Sequence, residues 1–295
     1  MANNDNIIYR TYDGVVKYCK AKLFILWEVT EMSTMDKTEN VKQQYSNDKN
    51  LSARTKLHLK HSTNKQGLVP WLFDQYEFSE NCHILELGCG NGGQWENQIE
   101  NLPKCCSLTL SDFSEGMVDI VRTNYSNYNN VSFQQIDIQN ITFPDETFDI
   151  IIANHMLYHI PDLSKALSEV KRVLKTGGKF YSTTNGNGGM RPFLHNALKN
   201  FNPDTKAFTQ EFSFNLQNGY EILNGHFSEV KRMDFEDSLS ITETQDLVDW
   251  IKSTISIASY SEKDLDGLFD YFEDIRKKNG AINIQKECGL FISIK

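Results

Sequence analysis

The sequence predicts an α/β fold: a mainly parallel sheet with helices on both faces. Three observations carry this. Short apolar runs recur at 83–87, 107–110, 131–136, 148–153 and 179–184. Amphipathic helical patterns lie between them, most clearly at 114–125 and 164–174. A turn carrying Gly88, Gly90, Gly92 and Gly93 follows directly on the first run. Strand, helix, strand repeated in this way is the pattern of parallel βαβ units.

Taken in order, residues 1–44 read as an N-terminal extension. Met32 and Met35 precede a polar stretch and offer a downstream start, so residues 1–31 are expected to be dispensable. Residues 45–80, with Leu57, Leu68, Trp71, Leu72 and Phe73, read as amphipathic helices forming a lid. Residues 81–185 hold the five apolar runs. Ser114, followed by Glu115, has the chemistry of a helix N-cap, and the second helix is expected to close at Gly177-Gly178. Residues 186–225 are rich in Gly, Asn and aromatics without a long clean period and read as a substrate or lid insertion. Residues 226–295 are expected to complete the sheet, with a strand at 227–235, helices at 243–257 and 262–278, and a terminal strand at 290–294 at an edge.

Composition narrows the function. The 295 residues carry 39 acids against 30 bases, a net charge of −9, so the average surface repels phosphate backbones and anionic lipid. No nucleic-acid or membrane partner is expected. The apolar stretch at 23–27 is far shorter than the roughly 20 residues of a membrane-spanning helix. The six cysteines show no paired metal-ligand spacing, and Cys105 and Cys106 are badly placed to bridge each other. They read as reduced thiols in a cytoplasm, with no metal.

The segment from His83 to Gly93 runs an apolar strand straight into the glycine turn. Glycines there let the backbone take positive φ and approach a ligand closely, and amides at the start of a following helix favour polar groups. Gly88, Gly90 and Gly93 also satisfy the dinucleotide fingerprint, with Asp112 placed for a ribose, so a nicotinamide-dependent oxidoreductase is one alternative. Glu86, two positions before the first glycine, argues otherwise: beside a pyrophosphate it is repelled, beside a cationic amino acid it is stabilised.

Glu86-Leu87-Gly88-Cys89-Gly90-Asn91-Gly92 resembles the glycine-rich first motif of the class I S-adenosylmethionine-dependent methyltransferases. The later motifs keep to the same order, and the 148–159 and 172–178 segments resemble the small-molecule, quinone-biosynthesis-like branch. The resemblance implies a Rossmann-like, seven-stranded, mainly parallel sheet with an antiparallel last strand. It implies S-adenosyl-L-methionine as cofactor and methyl transfer to a small molecule. The binding set it implies is Glu86, Gly88, Cys89 through its backbone, Gly90, Asp112 at the ribose, the adjoining Phe113, Asp137 and Ile138 at the adenine, and Asn154 after the fourth run. Asp112 as a helix cap and Asp137 as a turn former are the plainer readings of those two acids.

An already activated methyl group mainly needs its acceptor held in line, and a base adds to that where the acceptor carries a proton. His155 and His159, at the expected carboxyl edge of the sheet, are the candidates for that base. Phe193, Phe201, Phe208, Phe212 and Phe214 in the insertion suggest an apolar or aromatic acceptor. Residues from Tyr45 to Trp71 resemble a cover over the cofactor, expected to move. A protein that binds the cofactor without catalysis remains the second alternative.

Overall fold

The computed structural model describes residues 49–257 and 260–295. The expectation for the 1–44 extension, and the first four residues (45–48) of the expected cover, fall outside these. In chain order the helices are α1 (Lys49–His61), α2 (Leu68–Gln75), α3 (Glu115–Tyr125), α4 (Leu163–Val173), α5 (Met190–Leu198), α6 (Gly219–Asn224), α7 (Thr244–Lys252) and α8 (Leu268–Asn279). The strands are β1 (His83–Leu87), β2 (Ser107–Asp112), β3 (Val131–Gln135), β4 (Phe148–Asn154), β5 (Leu174–Asn185), β6 (Glu229–Asp234), β7 (Ser238–Ile241), β8 (Ile282–Gln285) and β9 (Cys288–Ile294).

Seven strands form one sheet in the order β3-β2-β1-β4-β5-β9-β6. Its first five strands pair in parallel, and β9 is antiparallel to both β5 and β6. Both faces of the centre are buried, which is why β4 reads Phe-Asp-Ile-Ile-Ile-Ala-Asn rather than as an alternation. Ile150 and Ile152 face α2 and α3 with Leu72 and Val121; Ile151 and Ala153 face α4 with Leu167 and Val170. Side chains cap the two sequence-predicted helices: Ser114 accepts from the Met117 amide at 3.4 Å and Asp162 from the Lys165 amide at 3.0 Å.

Three expectations are corrected. The last strand does not close an edge: β9 lies between β5 and β6. Its Cys-Gly-Leu-Phe-Ile-Ser-Ile run is almost wholly buried, whereas β6, Glu-Val-Lys-Arg-Met-Asp, has the charged side chains suited to an edge. The helix at 164–174 does not end at the glycines, because Leu174 already begins β5 and Gly177 lies within that strand. The glycine turn does not lead into an α-helix. Two 3-10 turns, Gly93–Trp95 and Ile99–Asn101, follow it instead, separated by Asn97 at φ 60°. A left-handed residue there stops helix propagation.

Only β6 and β9 of the C-terminal region complete the sheet. The intervening β7, α7, α8 and β8 join α1 and α5 in a separate apolar cluster that includes Leu57, Leu198, Leu239, Leu247, Phe272 and Ile284. The chain leaves the sheet for this cluster at the carboxyl end of β6 and returns at Cys288, opposite Asn185 at the end of β5. The cluster is therefore a cap at the carboxyl edge of the parallel strands. α1 is pinned to it: the buried Asp246 of α7 accepts from His61 Nε2 at 2.9 Å and pairs with Lys56 at 2.8 Å and Lys60 at 2.9 Å. Cys82 and Cys106, at the starts of neighbouring strands, bring their thiols to 2.9 Å, while Cys105 points to the surface. Burial, reinforced by its thiol neighbour, pushes the Cys82 thiol up to about 12.

Candidate functional site

Gly88, Gly90 and Gly92 all take positive φ, at 72°, 56° and 76°. A Cβ on Gly88 would press on the Met156 side chain at 3.0 Å, so the turn passes close under the loop that follows β4. The Cys89 amide donates to the Ser111 carbonyl at 2.8 Å, and the Gly90 amide to Asp112 Oδ2 at 2.9 Å, which ties the turn to the end of β2. The Cys89 thiol is buried and pushed up by that burial, which keeps it in the neutral form.

Two carboxylates flank this turn. Asp112 accepts from the Gly90 amide on one oxygen and from the Ser114 amide, at 2.8 Å, on the other. It therefore caps the start of α3 and holds the glycine turn at once. Burial raises its pKa, opposed by the amides of Ser114, Gly90 and Phe113. Glu86 is 2% exposed and accepts from Gln94 Nε2 and Trp95 Nε1, both contributed by the 3-10 turn. Burial pushes its carboxyl from 4.5 up to about 7, against the pull of those two donors.

A folded-state value above the unfolded one has a definite sign. Stability from Glu86 is fully present below about 4.5 and is lost as pH rises through about 7. The ligand-free protein is expected to melt progressively lower from about pH 5 to about pH 8, and Glu86→Gln to flatten that slope. Melting curves across the range check this; an unchanged slope in the variant would remove Glu86 as its source.

Around these acids runs a network that sequence reasoning missed. Asn154, ending β4, donates to the Tyr76 hydroxyl at 2.9 Å and to Gln94 Oε1 at 2.7 Å, and accepts from Thr183 Oγ1 at 3.1 Å. Gln94 passes the chain on to Glu86. Tyr76, Gln94 and Trp95 were legible only as polar and aromatic residues flanking the expected site; the fold brings them together. Trp95 is fully buried and its ring meets Phe73 edge-on at 5.3 Å.

The remaining candidates separate. Asp137 closes a local turn, accepting from the Gln139 amide at 2.8 Å, and Ile138 packs in the core. Phe113 offers its carbonyl to Gln135 Nε2 at 2.9 Å. His155 sits at φ 53°, with its amide on the Thr183 carbonyl at 3.0 Å and its Nε2 3.7 Å from the Cys288 sulfur. Burial, then Lys286, lowers it to about 4. It is thus a neutral ring lodged against β9. His159 lies one 3-10 turn further on, its ring 4.6 Å from Tyr158. Among the described residues no cluster of His, Cys, Asp or Glu could hold a metal ion, and no helix is long and apolar enough to cross a membrane.

A family model described as a methyltransferase domain matches residues 85–182. Among curated proteins, the Caenorhabditis elegans sterol 4-C-methyltransferase strm-1 is 34% identical over 107 residues, 36% of this chain and 32% of that protein. The Coxiella burnetii ubiquinone biosynthesis O-methyltransferase is 32% identical over 107 residues, 36% of this chain and 44% of that protein. The match to the Bacillus subtilis putative methyltransferase YrhH, 30% identical over 118 residues, covers 40% of this chain and 66% of that protein. The chain thus spans from about a third to just under two thirds of these relatives' lengths. Among solved structures, YcgJ of Bacillus subtilis superposes with a TM-score of 0.55 at 19% identity, covering 77% of this chain and 97% of that one. The [4+2]-cyclase SpnF gives 0.56 at 17%, covering 88% and 96%. These last two speak for the fold alone. A methyltransferase domain is thus matched at residues 85–182, about a third of the chain, and those residues lie in the seven-stranded sheet the motif order implied.

Proposed function

We propose that this protein transfers a methyl group from S-adenosylmethionine to a small-molecule acceptor. The observation that carries the reading is a positive-φ glycine turn flanked by the buried carboxylate of Glu86 and the half-buried one of Asp112, and followed by no α-helix. A dinucleotide pyrophosphate is bound by the amides at a helix N-terminus, and here Gly93 enters a three-residue 3-10 turn instead. Asp112, and Glu86 in its ionised form, add negative charge where a pyrophosphate would need positive. The same arrangement suits a cationic amino acid joined to a nucleoside, so the oxidoreductase alternative is set aside.

On this reading Gly88 and Gly90 leave room for close approach, and Glu86 supplies the field that favours an ammonium group. Asp112 has lone pairs left for ribose hydroxyls, and Asp137 and Ile138 lie at the end of β3, where the adenine is placed. S-adenosylmethionine bound there supplies a methyl group already activated by its sulfonium. The work left to the chain is to exclude water and align the acceptor, worth ~7–11 kcal/mol in well-oriented pairs. The cap at the carboxyl edge, with α1 fixed to it, is suited to that exclusion. Cytoplasmic, small-molecule chemistry goes with free thiols at Cys82, Cys89, Cys105, Cys106 and Cys288 and with the acidic balance, which also disfavours a nucleic-acid acceptor.

Of the two histidines, His159 is the better placed for a base. A ring held near 4 is neutral at working pH but a weak proton acceptor, and His155 is occupied by Cys288. His159→Ala is expected to lower turnover by ~10²-fold or more with S-adenosylhomocysteine affinity intact, if the acceptor carries a proton. His155→Asn is expected to keep its rate from pH 6 to 9. Full activity in both variants would leave positioning as the whole mechanism. The assay is release of S-adenosylhomocysteine from pure protein given candidate acceptors. Failure to bind S-adenosylhomocysteine by calorimetry would overturn the function itself.

A further inference from the structure

Arg191 stands in the first turn of α5, in the segment that follows β5. A guanidinium has five N–H donors. One of them, on Nη2, donates to the Gln210 carbonyl at 2.6 Å, and among the described residues no carboxylate pairs with the group. Arg122, Arg172, Arg232 and Arg276 each form an ion pair with an acid. Arg191 instead lies 4.5 Å from the Phe212 ring centroid and 5.9 Å from that of Phe208. Burial lowers its pKa, with only the neighbouring Tyr158 opposing. Removing a cation from water is costly, and contact with aromatic faces returns only part of that cost. The group is held ready for an anion the described chain does not supply.

Its position tells which part of the site that anion would occupy. The Phe212 ring is 4.4 Å from Tyr158, which is 4.6 Å from His159, and both belong to the turn after β4. In the sheet, β2 and β3 with Asp112 and Asp137 lie on one side of β1, and β4 and β5 on the other. Arg191 therefore faces away from the nucleoside end. Two strand spacings, ~10 Å, separate β5 from the glycine turn after β1, a distance one small acceptor can bridge.

We propose that Arg191 recognises a negatively charged group, a carboxylate or a phosphate, on an acceptor whose apolar or aromatic body lies against Phe212 and Tyr158. The proposal rests on the methyl-transfer reading and adds the charge of its substrate. Charge recognition fits the guanidinium's fork, which pairs with either oxyanion through two parallel bonds.

The test uses the full chain and four probes: phenylacetate and phenyl phosphate against the neutral phenylacetamide and phenol. Binding is measured by titration calorimetry or ligand-observed NMR, with and without saturating S-adenosylhomocysteine. The anions are expected to bind at least tenfold more tightly than the neutral probes, and the tighter of the two identifies carboxylate or phosphate. Arg191→Gln is expected to abolish the preference, Arg191→Lys to keep part of it, and both to leave S-adenosylhomocysteine affinity unchanged. Equal binding of charged and neutral probes to the unaltered protein overturns the proposal whatever the variants do, as does a preference that survives in Arg191→Gln. Loss of S-adenosylhomocysteine binding in the unaltered protein would instead defeat the methyl-transfer reading, while the anion comparison without it still decides the role of Arg191.

Discussion

Asp112→Ala is expected to lower affinity for S-adenosylhomocysteine by at least tenfold, the largest effect of any single change at the site. Two losses combine. The carboxylate would no longer accept from ribose hydroxyls, and charge-assisted hydrogen bonds are worth ~1.5–3 kcal/mol each. It would also release the Gly90 and Ser114 amides, so the glycine turn and the first turn of α3 lose their shared anchor. Asp112→Asn separates the two, because a neutral amide still offers one oxygen acceptor but no charge. Calorimetry on folded protein is the measurement, with melting temperature as the control. Native affinity in a folded Asp112→Ala variant would remove Asp112 from the site and leave it a helix cap.

Gly92→Ala is expected to destabilise the fold itself. At φ 76° any L side chain is strained, by ~1–2 kcal/mol. A Cβ there would also meet the Tyr125 ring at 2.6 Å and Val121 at 2.9 Å. Tyr125 cannot easily retreat: it is buried, and its hydroxyl donates to the Gly92 carbonyl at 2.8 Å. Strain and overpacking together should cost ~2–4 kcal/mol, a fall in melting temperature of roughly 5–15 °C. Gly177→Ala is the matched comparison. It has the same φ of 76° but open space around it, so strain acts there alone. Equal losses in the two variants would show that the Tyr125 contact adds nothing.

Parts of this architecture were written locally. Five apolar runs, the capping Ser114 and the glycine turn are short-range signals, each decided within a dozen residues by period, cap chemistry or conformational freedom. They made the parallel sheet, its helices and the Gly88–Gly92 turn readable, together with Glu86, which adjoins that turn in sequence, and Asp112, which ends the second run. The exposed, charged β6 and the buried β9 also carried their burial in their composition, but which one lay at the edge depended on pairing across the chain.

What the sequence by itself determined about this protein was the set of elements and the acids and glycines adjoining them. The tertiary structure alone decided that 244–279 builds a cap with α1 rather than more sheet, because Asp246 finds its partners 185 residues or more away, at Lys56, Lys60 and His61. It decided that Tyr76, Gln94 and Asn154 share one hydrogen-bond chain with Glu86, and that His155 is lodged against Cys288. It also left Arg191 over Phe212 with no carboxylate partner among the described residues. The reason is common to all of these: hydrophobic period and caps act between neighbours in the chain, whereas the partner of a buried polar group is whatever the packing of distant segments places within 3 Å of it.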